Sequence, residues 1–409
     1  MHRRSLLTLL AATATAAAAA AAGAAPLPAA RAAVAEPPRT RWRVRESVGL
    51  DALAFLGPLA GGELYRAYYA AAADAFAARL PTAVVEDLRE LSGAAAKDGF
   101  GLLAPNLQVI FSSPGNSDDL KALLAALEDR DRRLRPAYRA SPYWSEKDWA
   151  WFAAAAPRLG AIFQAMQAAD FAGFRLGQTE GRLAGRAAAV ESALSAYDVV
   201  RWQERLTGRS FEPVIEVVLL AFSKPHGVKV QGQTFLQAFD YDLATTVRIA
   251  AHEMLHPPID MDGPAAKAAV AALRQDPLIA RIVRDHDPQW GYETLEGLLD
   301  EDLCEALDQL ISEGLGVARN PADRWRKSDD GMHVLAGALY GLLREDRWGE
   351  TGGDLEGWVA QAARSGRLQP AVLHAAAARV LERPVGALWP LGGRGADQAP
   401  ASAEEPAST

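Results

Sequence analysis

Cysteine is the scarcest residue of the sequence: 409 positions hold a single one, Cys304, and only seven histidines. One thiol excludes an internal disulfide framework and any cysteine-rich zinc or iron–sulfur site, so a bound metal would have to be held by imidazole and carboxylate. A positive balance is missing too, since 43 Lys and Arg stand against 51 Asp and Glu for a formal charge of −8. Neutralising a nucleic-acid backbone takes a basic face, which removes nucleic acid from the expected partners. Beyond the N-terminus no segment reaches the ~18 consecutive apolar residues that a membrane helix requires. There is also no Gly-rich phosphate loop and no GxSxG elbow, so nucleotide-driven and serine-hydrolase chemistry have no anchor.

The N-terminus reads as a bacterial-type export signal over residues 1–32. Arg3 and Arg4 supply a cationic start, Leu6 to Ala22 an apolar stretch, and Ala30-Arg31-Ala32 a small-residue cleavage site. The arginine pair also resembles a twin-arginine signal. Gly23, Pro26 and Pro28 make the stretch a poor permanent span, so the mature chain is expected in the periplasm or outside the cell without a stable membrane anchor. Residues 33–45, rich in Ala, Pro and Arg, read as a flexible lead, and residues 391–409 as a disordered tail.

Between these ends the texture changes once. Residues 46–210 carry apolar positions at helical spacing, and only Leu107–Phe111 resembles a strand. From Phe211 a β-branched run, Val214–Phe222, is followed by Val228–Val230 and Thr234–Phe239 after Gly-containing turns, and then by helical patterns up to residue 390. The expected fold class is α+β, predominantly helical, with a helical N-terminal region (46–210) and a catalytic domain (211–390) in which a small sheet precedes an active-site helix and a later ligand helix.

The chemistry follows the strands. Asp242 is placed to cap a helix that runs through an apolar stripe to His252-Glu253-Met254-Leu255-His256 and stops at Pro257-Pro258. Histidines four apart project from one helical face and can reach one metal ion, while Glu253 beside the first is placed to act on a water rather than to ligate. A third protein ligand must come from elsewhere. In Gly297–Ile311 the carboxylates Glu301, Glu305 and Asp308 share one stripe opposite Leu299, Leu303, Leu307 and Leu310, and three acids on one face need a cation or a donating imidazole to neutralise them. Glu301 is the leading ligand candidate, with Glu305 or Asp308 as supporting partners of the histidines. Glu305, Glu296 and Asp262 are the alternatives for the ligand itself.

This segment resembles the zincin metallopeptidases, and the later glutamate makes it gluzincin-like. The resemblance spans about a hundred residues and rests on the HExxH motif. It implies a zinc ion held by His252, His256 and Glu301, Glu253 as general base and acid, a peptide or protein substrate, and a sheet edge that holds the substrate as an added strand, here Thr234–Phe239. The metzincin continuation fails at Ile259, where that family has glycine, although Asp262 keeps the spacing of its third ligand. Donors for a tetrahedral oxyanion are sought in the C-terminal part, with His333 and Tyr340 named first and Tyr292 and His286 beside them. Trp144, Trp149, Trp151 and Tyr143 are either a binding surface or, more simply, helical core, and Cys304 is expected to face the core. The function expected is an exported zinc metallopeptidase. A zincin-like envelope binding module and a hydrolase of a non-peptide bond are the alternatives.

Overall fold

A computed structural model describes residues 37–390 apart from 226, 288 and 289. The export signal and the tail lie outside the described residues. Among the described residues helices hold 63% and four strands form one small sheet, as an α+β, mainly helical class requires. No described helix is long and apolar enough to cross a membrane.

The strands are β1 (Arg41–Glu46), β2 (Val214–Leu220), β3 (Gly227–Lys229) and β4 (Thr234–Ala238), in the order β1-β2-β4-β3. β1 and β4 flank β2 in parallel, with Val44 opposite Val217 and Val218 opposite Leu236, and β3 closes one edge antiparallel to β4. The side-chain period of two splits β2 between two cores: Ile215, Val217 and Leu219 enter one, Val218 and Leu220 the other. The sheet is therefore the middle layer of three. Helices between residues 48 and 178 cover one face, and helices from residue 186 onward cover the other.

Several expectations change here. Part of the 33–45 lead is β1, because Trp42 and Val44 alternate with arginines and find a partner in β2, about 170 residues away in sequence. The helical region does not end as a unit at residue 210. Leu183, Val190, Leu194, Val199, Val200 and Leu206 pack on the same face of the sheet as Val247, Ala250 and Ala251, and Gln203 donates to the Ala250 carbonyl. Leu107–Phe111 is the end of a helix, Leu103–Phe111, whose nine residues are all buried. An apolar run surrounded by core reads the same in either structure. Thr234–Phe239 is not a sheet edge, since β4 is paired on both sides. The edge beside the histidines is β3. There a Cβ on Gly227 would lie 2.6 Å from Ile249 Cγ2, so glycine lets the helix carrying the histidines sit against the strand.

Candidate metal centre

The histidine helix, Leu243–Glu253, starts where Asp242 accepts a hydrogen bond from the Thr245 N–H at 2.6 Å, and it buries Val247, Ile249, Ala250 and Ala251. It stops at Glu253, three residues short of the expected end. Pro257 disfavours helical backbone in the residue before it, so His256 sits in the turn that follows, with the Leu255 N–H bonded to the His252 carbonyl at 3.0 Å. The two imidazoles still meet, with their Nε2 atoms 3.1 Å apart.

The second support is the acidic helix, Leu295–Gly314, capped by Thr294. Its leucines pack into the core as expected, but its acidic stripe is turned inward, with Glu301 3% and Asp308 1% exposed. Glu301 brings one carboxylate oxygen to 3.3 Å from His252 Nε2 and the other to 3.4 Å from His256 Nε2. His252, His256 and Glu301 thus form a buried group that could hold a metal ion. The spacing fits one: donors at tetrahedral corners with bonds of about 2.0–2.1 Å lie about 3.3–3.4 Å apart.

The surrounding groups set the state of the imidazoles. His252 Nδ1 is 2.8 Å from Asp308 Oδ2, which places its proton on Nδ1 and leaves the Nε2 lone pair toward His256 and Glu301. Arg324, from the helix Pro321–Lys327, grips Asp308 through both terminal nitrogens and pairs with Glu305 at 2.6 Å, while Trp325 Nε1 donates to Glu305 at 2.7 Å. Glu305 is thus committed to Arg324 and Trp325. His256 Nδ1 lies 3.4 Å from Asp300 Oδ1 and 3.4 Å from Cys304 Sγ. Cys304 is buried, as expected, yet it borders the site, and burial followed by Asp300 and Glu301 pushes its thiol pKa up.

Burial alone would pull the His252 pKa down, but Glu301 and Asp308 outweigh it and leave it well above the usual imidazole range. Glu301 is held below the usual carboxylate range because both imidazoles overcome its burial. The cluster therefore demands positive charge, supplied by protonated histidine or by a cation. Glu253 is the opposite case. Burial, only partly offset by the histidines, raises its pKa above the usual carboxylate range. Its Oε2 accepts from the Lys229 N–H of β3 at 3.3 Å, and Lys229 Nζ donates to the His256 carbonyl at 2.7 Å.

The remaining candidates are elsewhere. Glu296 is exposed near Arg274, and Asp262 is exposed with its N–H on Asp260, so neither joins the cluster. His333 is not an available donor, because its ring nitrogens are bound by Asp302 at 2.6 Å and Asp329 at 2.9 Å. Tyr340 donates to Glu313, and both ring nitrogens of His286 are on backbone carbonyls. Tyr292 is buried and is engaged with Glu301, whose charge and hydrogen bond add to burial in raising its phenol pKa. Among the aromatic candidates, Trp149 is core and Trp151 stacks on Phe100 at 4.2 Å. Tyr143 differs. It lies near enough to Glu253 and Asp300 for their charges to add to burial in raising its phenol pKa, and so brings the N-terminal helices to the site. Comparison with protein-family models, curated proteins and solved structures returned no match, so the functional reading rests on this geometry.

Proposed function

We propose that the protein is a zinc-dependent metallopeptidase of gluzincin type, acting after export. The observation that carries this reading is the convergence of His252 Nε2, His256 Nε2 and the Glu301 carboxylate within 3.1–3.4 Å, with Glu253 beside them on the same helix. Two nitrogens and a carboxylate suit zinc and leave one tetrahedral position for water or substrate. A bound zinc ion supplies Lewis acidity and lowers the pKa of water toward neutrality. Asp308 and Arg324 hold the His252 ring in register, and Asp300 and Cys304 flank His256 Nδ1. Glu253, its pKa raised by burial, takes a proton from the attacking water and passes it to the leaving amine. β3, which contacts Glu253 through the Lys229 N–H, is the sheet edge along which an extended peptide would lie.

The test is Glu253→Gln in the mature protein, which keeps size and ligand set but removes the base. Hydrolysis of a broad peptide library, read by mass spectrometry, is expected to fall by about three or more orders of magnitude while zinc stays bound at one per chain. A wild-type protein that binds zinc but cuts nothing would overturn the peptidase reading. A protein that binds no zinc would overturn the site.

A further inference from the structure

β3 is the sheet edge beside the metal cluster, and its backbone sets how much of a bound chain it can hold. The Val230 N–H is bonded to the Thr234 carbonyl at 2.9 Å, and hydrogen-bonded pairs alternate along an antiparallel ladder. Val228 therefore spends its N–H and C=O on Leu236 of β4, while Gly227 and Lys229 turn theirs away from the sheet. The Lys229 N–H already serves Glu253, and Gly227 lines a cavity of about 40 Å³ shared with His252 and Glu253. Beyond these residues the edge closes at both ends. Pro225, two residues before Gly227, has no N–H, and its carbonyl accepts from the Tyr241 hydroxyl at 2.8 Å. Gln231, two residues after Lys229, gives its carbonyl to the Thr234 N–H at 3.1 Å and its side-chain amide to the Val109 carbonyl at 3.4 Å, on the helix Leu103–Phe111. The cluster is also recessed, with the side chains of His252 and His256 15% and 14% exposed.

An edge that can pair at Gly227 and Lys229 and is closed at Pro225 and Gln231 matches an added strand of about three residues, because the partners of alternate positions are themselves two apart. We propose that the substrates are short oligopeptides, held through about three main-chain residues on β3 and gaining nothing from greater length. A longer chain brings ordering costs without further backbone hydrogen bonds from the sheet. A folded surface cannot carry a peptide bond down to imidazoles this recessed. The inference rests on the metallopeptidase reading for hydrolysis, whereas the strand site rests on the backbone of β3.

Two measurements separate the two claims. Mixed-sequence peptide libraries of fixed length, from about 3 to about 16 residues, are captured on zinc-loaded Glu253→Gln whose circular dichroism matches wild type. The best-retained sequence is then titrated by calorimetry after shortening, extension and N-methylation of each residue in turn. Full affinity is expected at about five residues, with less than about threefold change on extension. N-methylation is expected to cost about fivefold or more only at two residues, spaced two apart, that pair with Gly227 and Lys229. In parallel, wild type is given the same lengths and a folded protein, and kcat/KM should level off at the same length while the folded protein stays uncut. A gain of about tenfold or more beyond about eight residues, N-methylation losses at a third alternate residue, or a folded protein cut as fast as a pentapeptide overturns the oligopeptide claim and leaves the peptidase reading intact. The expected binding pattern in a protein whose wild type cuts no length does the reverse. Failure of every length to bind overturns the strand site.

Discussion

The two faces of the sheet bury charge in opposite ways. On the face covered by the N-terminal helices, Asp51 is wholly inaccessible, yet each of its oxygens is answered: Ala221 and Phe222 donate backbone N–H groups at 2.6 and 3.1 Å, and Arg175 supplies a guanidinium that also reaches Glu46 at 3.0 Å. On the other face Glu301 and Asp308 are buried and Glu305 is half-buried, beside Arg324 and two imidazoles, and the donor atoms of His252, His256 and Glu301 crowd one another at 3.1–3.4 Å. The first arrangement is closed and ties strand ends to a helix. The second holds lone pairs in surplus, which is what a cation site needs and what a purely structural network avoids.

The sharpest way to break this contrast is at the ligands. His256→Ala and Glu301→Ala are each expected to cost more than about 100-fold in zinc affinity, measured by competition with a chromogenic chelator, because two protein donors chelate poorly and a lost ligand exceeds the about 10–100-fold typical of supporting groups. Unchanged affinity in either variant would remove that residue from the site. Next comes Arg175→Met on the closed face, which strands Asp51 and should cost about 3–5 kcal/mol in urea unfolding. The sign with pH follows from Asp51, whose pKa burial already raises to about 6 against the pull of Arg175. Below the unfolded value near ~4 the carboxyl is neutral in both states, so the penalty is small there. It grows as pH rises through the folded pKa, so the variant should lie nearer wild type at about pH 5 than at about pH 8.

Asp308→Asn probes the link between the regimes, since that side chain is shared by Arg324 and His252. A loss of about 10–100-fold in zinc affinity with the fold retained is expected, smaller than for Glu301→Ala. Smallest of all, Asp262→Ala should shift zinc affinity and stability by no more than about 0.5 kcal/mol, as for an ordinary surface position. If it instead strips the metal while Glu301→Ala keeps it, the ligand assignment is wrong.

Much of the candidate site was legible because its parts are local. HExxH spacing, the Asp242 cap and the inward carboxylates all follow from chain neighbours at helical or turn distances. What escaped depends on distant pairing. Nothing near Arg324 announces that it neutralises Asp308 and Glu305 on another helix, although three acids on one buried stripe require some such cation. β1 was hidden because three of its six residues are arginines, and only the register with β2 makes it a strand. Tyr143 stood among tryptophans that read as a binding surface or, more simply, core, and its proximity to Glu253, about 110 residues away in sequence, is a matter of tertiary packing. The misread Thr234–Phe239 edge has the same origin: the short β3 folds back outside β4, an order that chain sequence alone does not reveal.

The interrupted helix has a mechanical meaning. With helical bonding ended at Glu253, the turn bearing His256 is held from outside, by Lys229 on the His256 carbonyl and Arg209 on the Pro257 carbonyl. Lys229 is also the residue whose N–H meets Glu253, so a single position of the edge strand clamps both Glu253 and the backbone of the turn that carries His256. A displacement of that strand at Lys229 reaches both at once, and slack in the strand would loosen both together.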